Sequence, residues 1–154
     1  MKPSIWPYPD SPNPALRQVA ALPIRFVDGR PEVLLLTSRE RKRWVIPKGW
    51  PMKGLAANMA AAREAYEEAG VQGYTAMEPL GSYIYDKRVP QGRPKRVEVV
   101  VYPFHVSIEH EEWPEMRERQ KLWTSLEDAA EKVDEPQLKA LLLSFDPYHP
   151  PPKP

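Results

Sequence analysis

The stretch that most narrows what this chain can become is residues 56–70, AANMAAAREAYEEAG. Alanine and glutamate favour helix, and Gly70 stands where a helix closes on a left-handed residue. Positions three and four apart share a helix face, so Glu64, Glu67 and Glu68 are expected to project together. Ala62, Ala65, Tyr66 and Ala69 fall on the other face, the one expected to pack on a sheet. Like charges this close cost roughly a few tenths of a kcal/mol per pair unless Arg63 or a cation offsets them. A solvated acidic face is the plainer reading of the same three glutamates.

The residues around this helix predict the sheet. Residues 17–26, RQVAALPIRF, put Leu22, Ile24 and Phe26 on one side at strand period, with Pro23 pointing to an edge or a bulge. EVLLLTS at 32–38 is a continuous apolar run, as in a strand buried on both faces. A short WVIP strand and the loop PKGWPMKG then lead into the helix. YTAMEPLGSYIYDKR and RVEVVVYPFHVSI read as two long strands of a hairpin across the polar turn VPQGRPK. Val97, Val99 and Val101 alternate inward, whereas Phe104, Val106 and Ile108 have the other parity, so a bulge is expected near Pro103. A charged loop precedes a KLWT strand. Ser125 and Asp128 have the spacing of a capping box, and EPQLKALLLSF forms a last helix with Pro136 in its first turn. Strands mixed with helices predict an α+β fold, an α/β/α sandwich around a mixed β-sheet flanked by helices.

Composition sets bounds on the chemistry. The 154 residues suit one domain with a real core, expected over residues 17–145 between proline-rich segments at 1–16 and 146–154. No internal repeat is present. A formal charge of +1 argues against a nucleic-acid stripe, and no apolar run approaches a membrane span. The absence of cysteine excludes disulfides and thiolate sites, which leaves oxygen ligands or three scattered histidines for a metal. His105 lies inside a strand, and His110 and His149 lack a partner at ligand spacing, so a histidine site is not expected. A cytoplasmic protein is the default expectation, with monomer and homodimer both open. Mg²⁺ is the natural counter-charge for three carboxylates, because it takes oxygen ligands and commonly bridges carboxylates to phosphates.

With the loop before it, the helix resembles the box of the Nudix hydrolase family, G-x5-E-x7-R-E-U-x-E-E-x-G-U, where U is a bulky aliphatic residue. Gly49, Arg63, Glu64, Glu67, Glu68, Gly70 and Val71 are in register. Leu55 replaces the first glutamate of the box and Ala65 its first aliphatic residue. The resemblance implies hydrolysis of a diphosphate linkage with Mg²⁺, or Mn²⁺ in its place, held by Glu64, Glu67 and Glu68. It implies catalysis by Glu64 and Glu67, with Arg63 orienting the carboxylates. A further glutamate of the late loop would act as base or extra ligand, from Glu111, Glu112 and Glu115, with Glu112 favoured.

Within the family, WVIPKGWP and EEWPE…RQKLWTSLEDA look most like the diphosphoinositol polyphosphate and diadenosine polyphosphate branch. So charged a substrate needs cations, and Arg17, Lys48 and Lys95, with the backbone of Gly49, are the expected phosphate contacts. Trp44, Trp50 and Tyr85 are candidates to stack a base. The partner expected is a phosphorylated small molecule. A fold of this kind that binds its ligand or a protein without cleaving it is the alternative, supported by Leu55 and the proline-rich tails.

Overall fold

The computed structural model describes residues 16–148. Residues 1–15 and 149–154, with most of both proline-rich segments and His149, lie outside the described residues. The described chain forms an eight-stranded mixed sheet and three helices. At its centre β1 (Arg17–Val27) runs parallel to β7 (Lys95–Glu109) and antiparallel to β2 (Arg30–Thr37). β3 (Trp44–Val45) and β8 (Lys121–Thr124) pair with β2, and β4 (Lys48–Gly49) pairs with β1. β5 (Val71–Thr75) and β6 (Gly81–Lys87) both lie antiparallel on β7.

Because successive strand residues point to opposite faces, each central strand divides its apolar residues between two cores. Ala20, Leu22, Ile24, Val33, Leu35, Val97, Val99 and Val101 meet α2 (Leu126–Lys132) and α3 (Pro136–Ser144). Val19, Ala21, Leu34, Leu36, Val100, Tyr102 and Phe104 meet α1 (Ala57–Ala69) through Ala60, Ala61, Ala65 and Ala69. The result is the α/β/α sandwich expected from the pattern.

Four local expectations change. Phe104 needs no bulge at Pro103, because its parity serves the second core: β7 pairs with β1 without interruption from Glu98 to His105. Pro103 falls between the residues that β6 and β5 pair, and the irregularity lies at Ser107, opposite Gln72 and Gly73. Pro23 sits in a central strand rather than at an edge, in the gap between the residues that pair with β4 and those that pair with β2. The first hairpin strand is split into β5 and β6 around Met77, Glu78 and Pro79, since proline cannot donate to a ladder. On α1, Ala62 and Tyr66 are only partly buried, and Ala60 and Ala61 take their place against the sheet.

The local signals at helix ends hold. Gly70 has φ 71° and donates its N–H to the carbonyls of Ala65 and Tyr66, closing α1. The Ser125 hydroxyl accepts the Asp128 N–H at 3.1 Å, and Pro136 occupies the first turn of α3, where its missing N–H costs nothing. The alanine face of α1 lets that helix lie close to β1 and to β4, the two elements that decide where its glutamates go.

Candidate active site

Pairing of Gly49 with Val19 fixes β4 beside α1, and there a β-carbon on residue 49 would fall on the Glu64 carboxylate. Only glycine leaves that space, so the carboxyl group of Glu64 is seated against bare backbone. One helical turn on, Glu68 points inward and is 5 % exposed. The two carboxyl groups are hydrogen-bonded to each other. Burial holds both above the usual carboxylate range. A hydrogen bond between two carboxyl groups needs a proton on one of them, and burial of the pair supplies the condition for holding it. Glu67 and Glu115 add their negative charge from nearby and raise Glu64 further. Glu64 and Glu68 are thus paired, with Glu67 on the same helix and Glu115 of the late loop near enough for their charge to act on Glu64.

That loop, residues 110–120, is bound along the last turn of α1. A helix leaves its final carbonyls without intrahelical donors. Here the His110 N–H donates to Gly70 O at 2.8 Å, the Trp113 indole N–H to Glu68 O at 3.2 Å, and the Glu115 N–H to Glu67 O at 3.0 Å. Docking in this register points Glu115 toward the carboxylates, while Glu111 and Glu112 remain exposed. Arg119 reinforces it: Nε contacts Glu115 Oε1 at 3.1 Å, one terminal nitrogen lies 3.7 Å from Glu68 Oε1, and the other donates to Thr37 O at 3.2 Å. The carboxylate contacts expected of Arg63 are thus made by Arg119. Arg63 is exposed on the outer side of α1, bordering a groove with Leu55, Met59 and Tyr66. The four-residue spacing of Glu115 and Arg119 was the one signal in the sequence that could have paired them.

Beside Glu68 opens a cavity of about 180 Å³. Its lining holds seven cationic side chains, Arg39, Arg41, Arg43, Lys48, Lys87, Arg88 and Arg119, against Glu40, Glu68 and Asp86. The chain is near neutral, so this is a local concentration of positive charge. Lys48 reaches it from β4, its Nζ 4.8 Å from the centre of the Tyr85 ring, and burial lowers its pKa while Glu68 opposes the shift. Among the other expected phosphate contacts, Arg17 is partly buried and paired with Glu98 at 3.5 Å, and Lys95 is exposed across the ladder from Lys87. Neither lines the cavity. Tyr85 does, but its hydroxyl hydrogen-bonds Gln18 at 2.7 Å and Lys48 lies over its ring. Trp44 packs against the core and Trp50 is exposed.

The donor set suits a hard divalent cation: carboxylate oxygens only, mutually repelling, with one seated in a space cleared by glycine. Among the described residues no three acidic or histidine side chains already stand as a closed ligand cluster. The arrangement is a group of neighbouring acids beside a cationic cavity, and such a group can hold a cation and present it to an anion.

Comparison with known proteins agrees with the architecture. A family model described as the NUDIX domain matches residues 16–144. The chain is 34 % identical over 145 residues to Nudix hydrolase 16, mitochondrial, of Arabidopsis thaliana, spanning 83 % of this chain and 78 % of that one. It is 33 % identical to Nudix hydrolase 21, chloroplastic, of the same plant, spanning 82 % of this chain and 64 % of that one, and only about half of some further relatives. Among solved structures it matches a Caenorhabditis elegans Ap4A hydrolase binary complex with TM-score 0.59 and 25 % identity, over 84 % of this chain and 93 % of that one. A MutT protein from Methanosarcina mazei Go1 superposes with TM-score 0.63 at 22 % identity, over 85 % and 92 % of the two chains, a likeness of fold. Among the described residues no helix is long and apolar enough to cross a membrane. With the box on α1, the sandwich around it and the match over most of its length, this chain belongs to the Nudix hydrolase family.

Proposed function

We propose that this member of the family is a Mg²⁺-dependent hydrolase of a diphosphate linkage in a densely phosphorylated small molecule. The observation that carries the reading is Glu68, which lines a cavity with seven cations and is paired on its other side with Glu64, on which the charges of Glu67 and Glu115 act. Glu64, Glu67 and Glu68 would hold the ion, Mn²⁺ serving in place of Mg²⁺. A divalent ion there supplies positive charge for the diphosphate oxygens and acidifies water for attack on phosphorus. Lys48, Arg43 and Arg119 bind phosphate oxygens from the inner wall, and Gly49 leaves the approach open. Glu115 stands as the late-loop base, in preference to Glu112, because its backbone is tied to Glu67 and its charge acts on Glu64. Arg119 orients Glu115 and Glu68 by charge-assisted contacts.

A cavity of about 180 Å³ takes a diphosphate and leaves the rest of a larger substrate outside. The rim of Arg39, Arg41, Lys87 and Arg88 favours substrates with further phosphates, as in diphosphoinositol polyphosphates and diadenosine polyphosphates. The test is phosphate-coupled release from a panel of both, with ADP-ribose and nucleoside triphosphates, in Mg²⁺ and in EDTA. Turnover is expected only with the metal and fastest for the two polyphosphate classes. Equal turnover of ADP-ribose overturns the substrate class, and binding of all four without turnover makes the chain a ligand-binding module. Cytoplasmic residence is the compartment we propose, although the relatives are named for mitochondria or chloroplasts. Cofractionation with either organelle would overturn it.

A further inference from the structure

We propose that Trp113 is a positioning residue, which clamps the late loop to the carboxylate helix and so sets Glu115 beside Glu64. The inference rests on the catalytic reading above and identifies what aligns its loop-borne member. Six of the eleven residues of loop 110–120 are charged at neutral pH, Glu111, Glu112, Glu115, Arg117, Glu118 and Arg119, the composition of a solvated, mobile segment. Three donors nevertheless hold it to the end of α1, and of these Trp113 alone acts through its side chain.

The contact is specific on both sides. A β-carbon at residue 70 would come within 2.6 Å of Trp113 Cε3 and 2.8 Å of Cγ, so the indole rests on the glycine that closes the helix. The same glycine that the helix end requires at φ 71° is also the only residue that admits the ring. The indole N–H satisfies the Glu68 carbonyl, and Lys121 Nζ lies 4.4 Å from the ring centre at the point where the loop re-enters the sheet as β8. Trp113 is two residues from Glu115, whose own N–H is bound to Glu67 O. Release of the indole therefore loosens the segment that carries Glu115, leaving it on two backbone bonds and the Arg119 contacts, while the carboxylates of α1 keep their places in the helix. Misplacement of a reacting group by about 1 Å can cost about 100-fold in rate.

The test compares Trp113→Ala, Trp113→Phe, Glu115→Gln and the double variant Trp113→Ala/Glu115→Gln in the full chain. Two readouts are taken: hydrogen exchange of residues 110–120, and hydrolysis of the best panel substrate with Mg²⁺. Trp113→Ala is expected to speed exchange in this loop at least about tenfold and to lower kcat about 100-fold, with KM within about twofold. Trp113→Phe, which keeps a ring and loses the donor, falls between and keeps the test decisive if the alanine variant unfolds. In the Glu115→Gln background, Trp113→Ala is expected to lower kcat by no more than about threefold further, because both changes remove one function. Unchanged loop exchange, or effects on kcat that multiply, would overturn the proposal. If the wild-type chain turns over no panel member, the catalytic reading fails, and exchange alone still decides the clamp.

Discussion

The two faces of the sheet are built from different materials. Toward α2 and α3 the core is made of large side chains, among them Leu22, Ile24, Leu126, Val133, Leu138 and Leu142, filling the space between sheet and helices. Toward α1 the helix contributes Ala60, Ala61, Ala65 and Ala69, and buries Glu68 with them. Short side chains bring the backbone of α1 close to β1 and β4, and the closeness takes carboxyl groups out of water. The first face stabilises the fold by apolar burial, at about 25 cal/mol per Å². On the second face part of that stability is offset by two neighbouring carboxyl groups, Glu64 and Glu68, held where their charge is disfavoured. The first face holds a single such carboxyl among the described residues, Glu135 at the start of α3.

This division of labour can be broken by experiment. The largest effect is expected from Glu67→Gln, a loss of about 1000-fold in turnover, equivalent to about 4 kcal/mol, with the thermal midpoint nearly unchanged. A large drop in that midpoint would show Glu67 to be part of the scaffold. Next comes Leu138→Ala on the opposite face. Removal of a fully buried leucine costs about 2–5 kcal/mol in urea denaturation, with turnover per folded molecule retained. If turnover falls in proportion, the two faces are coupled and the contrast fails.

Gly49→Ala sharpens the comparison from the side of the site. Its β-carbon displaces the flexible Glu64 carboxyl rather than backbone, so stability should hold while the Mg²⁺ concentration for half-maximal turnover rises about tenfold. An unchanged metal requirement would remove Glu64 from the ligand set. The smallest effect is that of Ser125→Ala, which deletes the cap of α2 and should cost about 1 kcal/mol without altering catalysis. Calorimetry and a single activity assay suffice to check it.

What was legible beforehand was whatever depends on near neighbours in the chain. The helix at 56–70, its glycine stop, the Ser125 cap and the register of Glu64, Glu67 and Glu68 all follow from spacings of three or four residues. Less legible were features with two solutions of equal local merit. Phe104 could be reconciled with Val101 by a bulge or by a second core, and only helices on both faces select the second. Arg17, read as a phosphate contact, is paired with Glu98, because parallel pairing with β7 brings residues 81 positions apart side by side.

The sequence by itself determined the layered fold and the acidic helix, because each rests on periodicity. The tertiary structure decided which of three loop glutamates reaches the helix, that Arg119 rather than Arg63 contacts its carboxylates, and that the cations of two separate loops share one cavity. Those choices are made by the carbonyls that a helix leaves unsatisfied at its end and by donors that arrive from some forty residues away. No spacing along the chain records them, since the free energy that selects the register comes into being only when the loop and the helix meet.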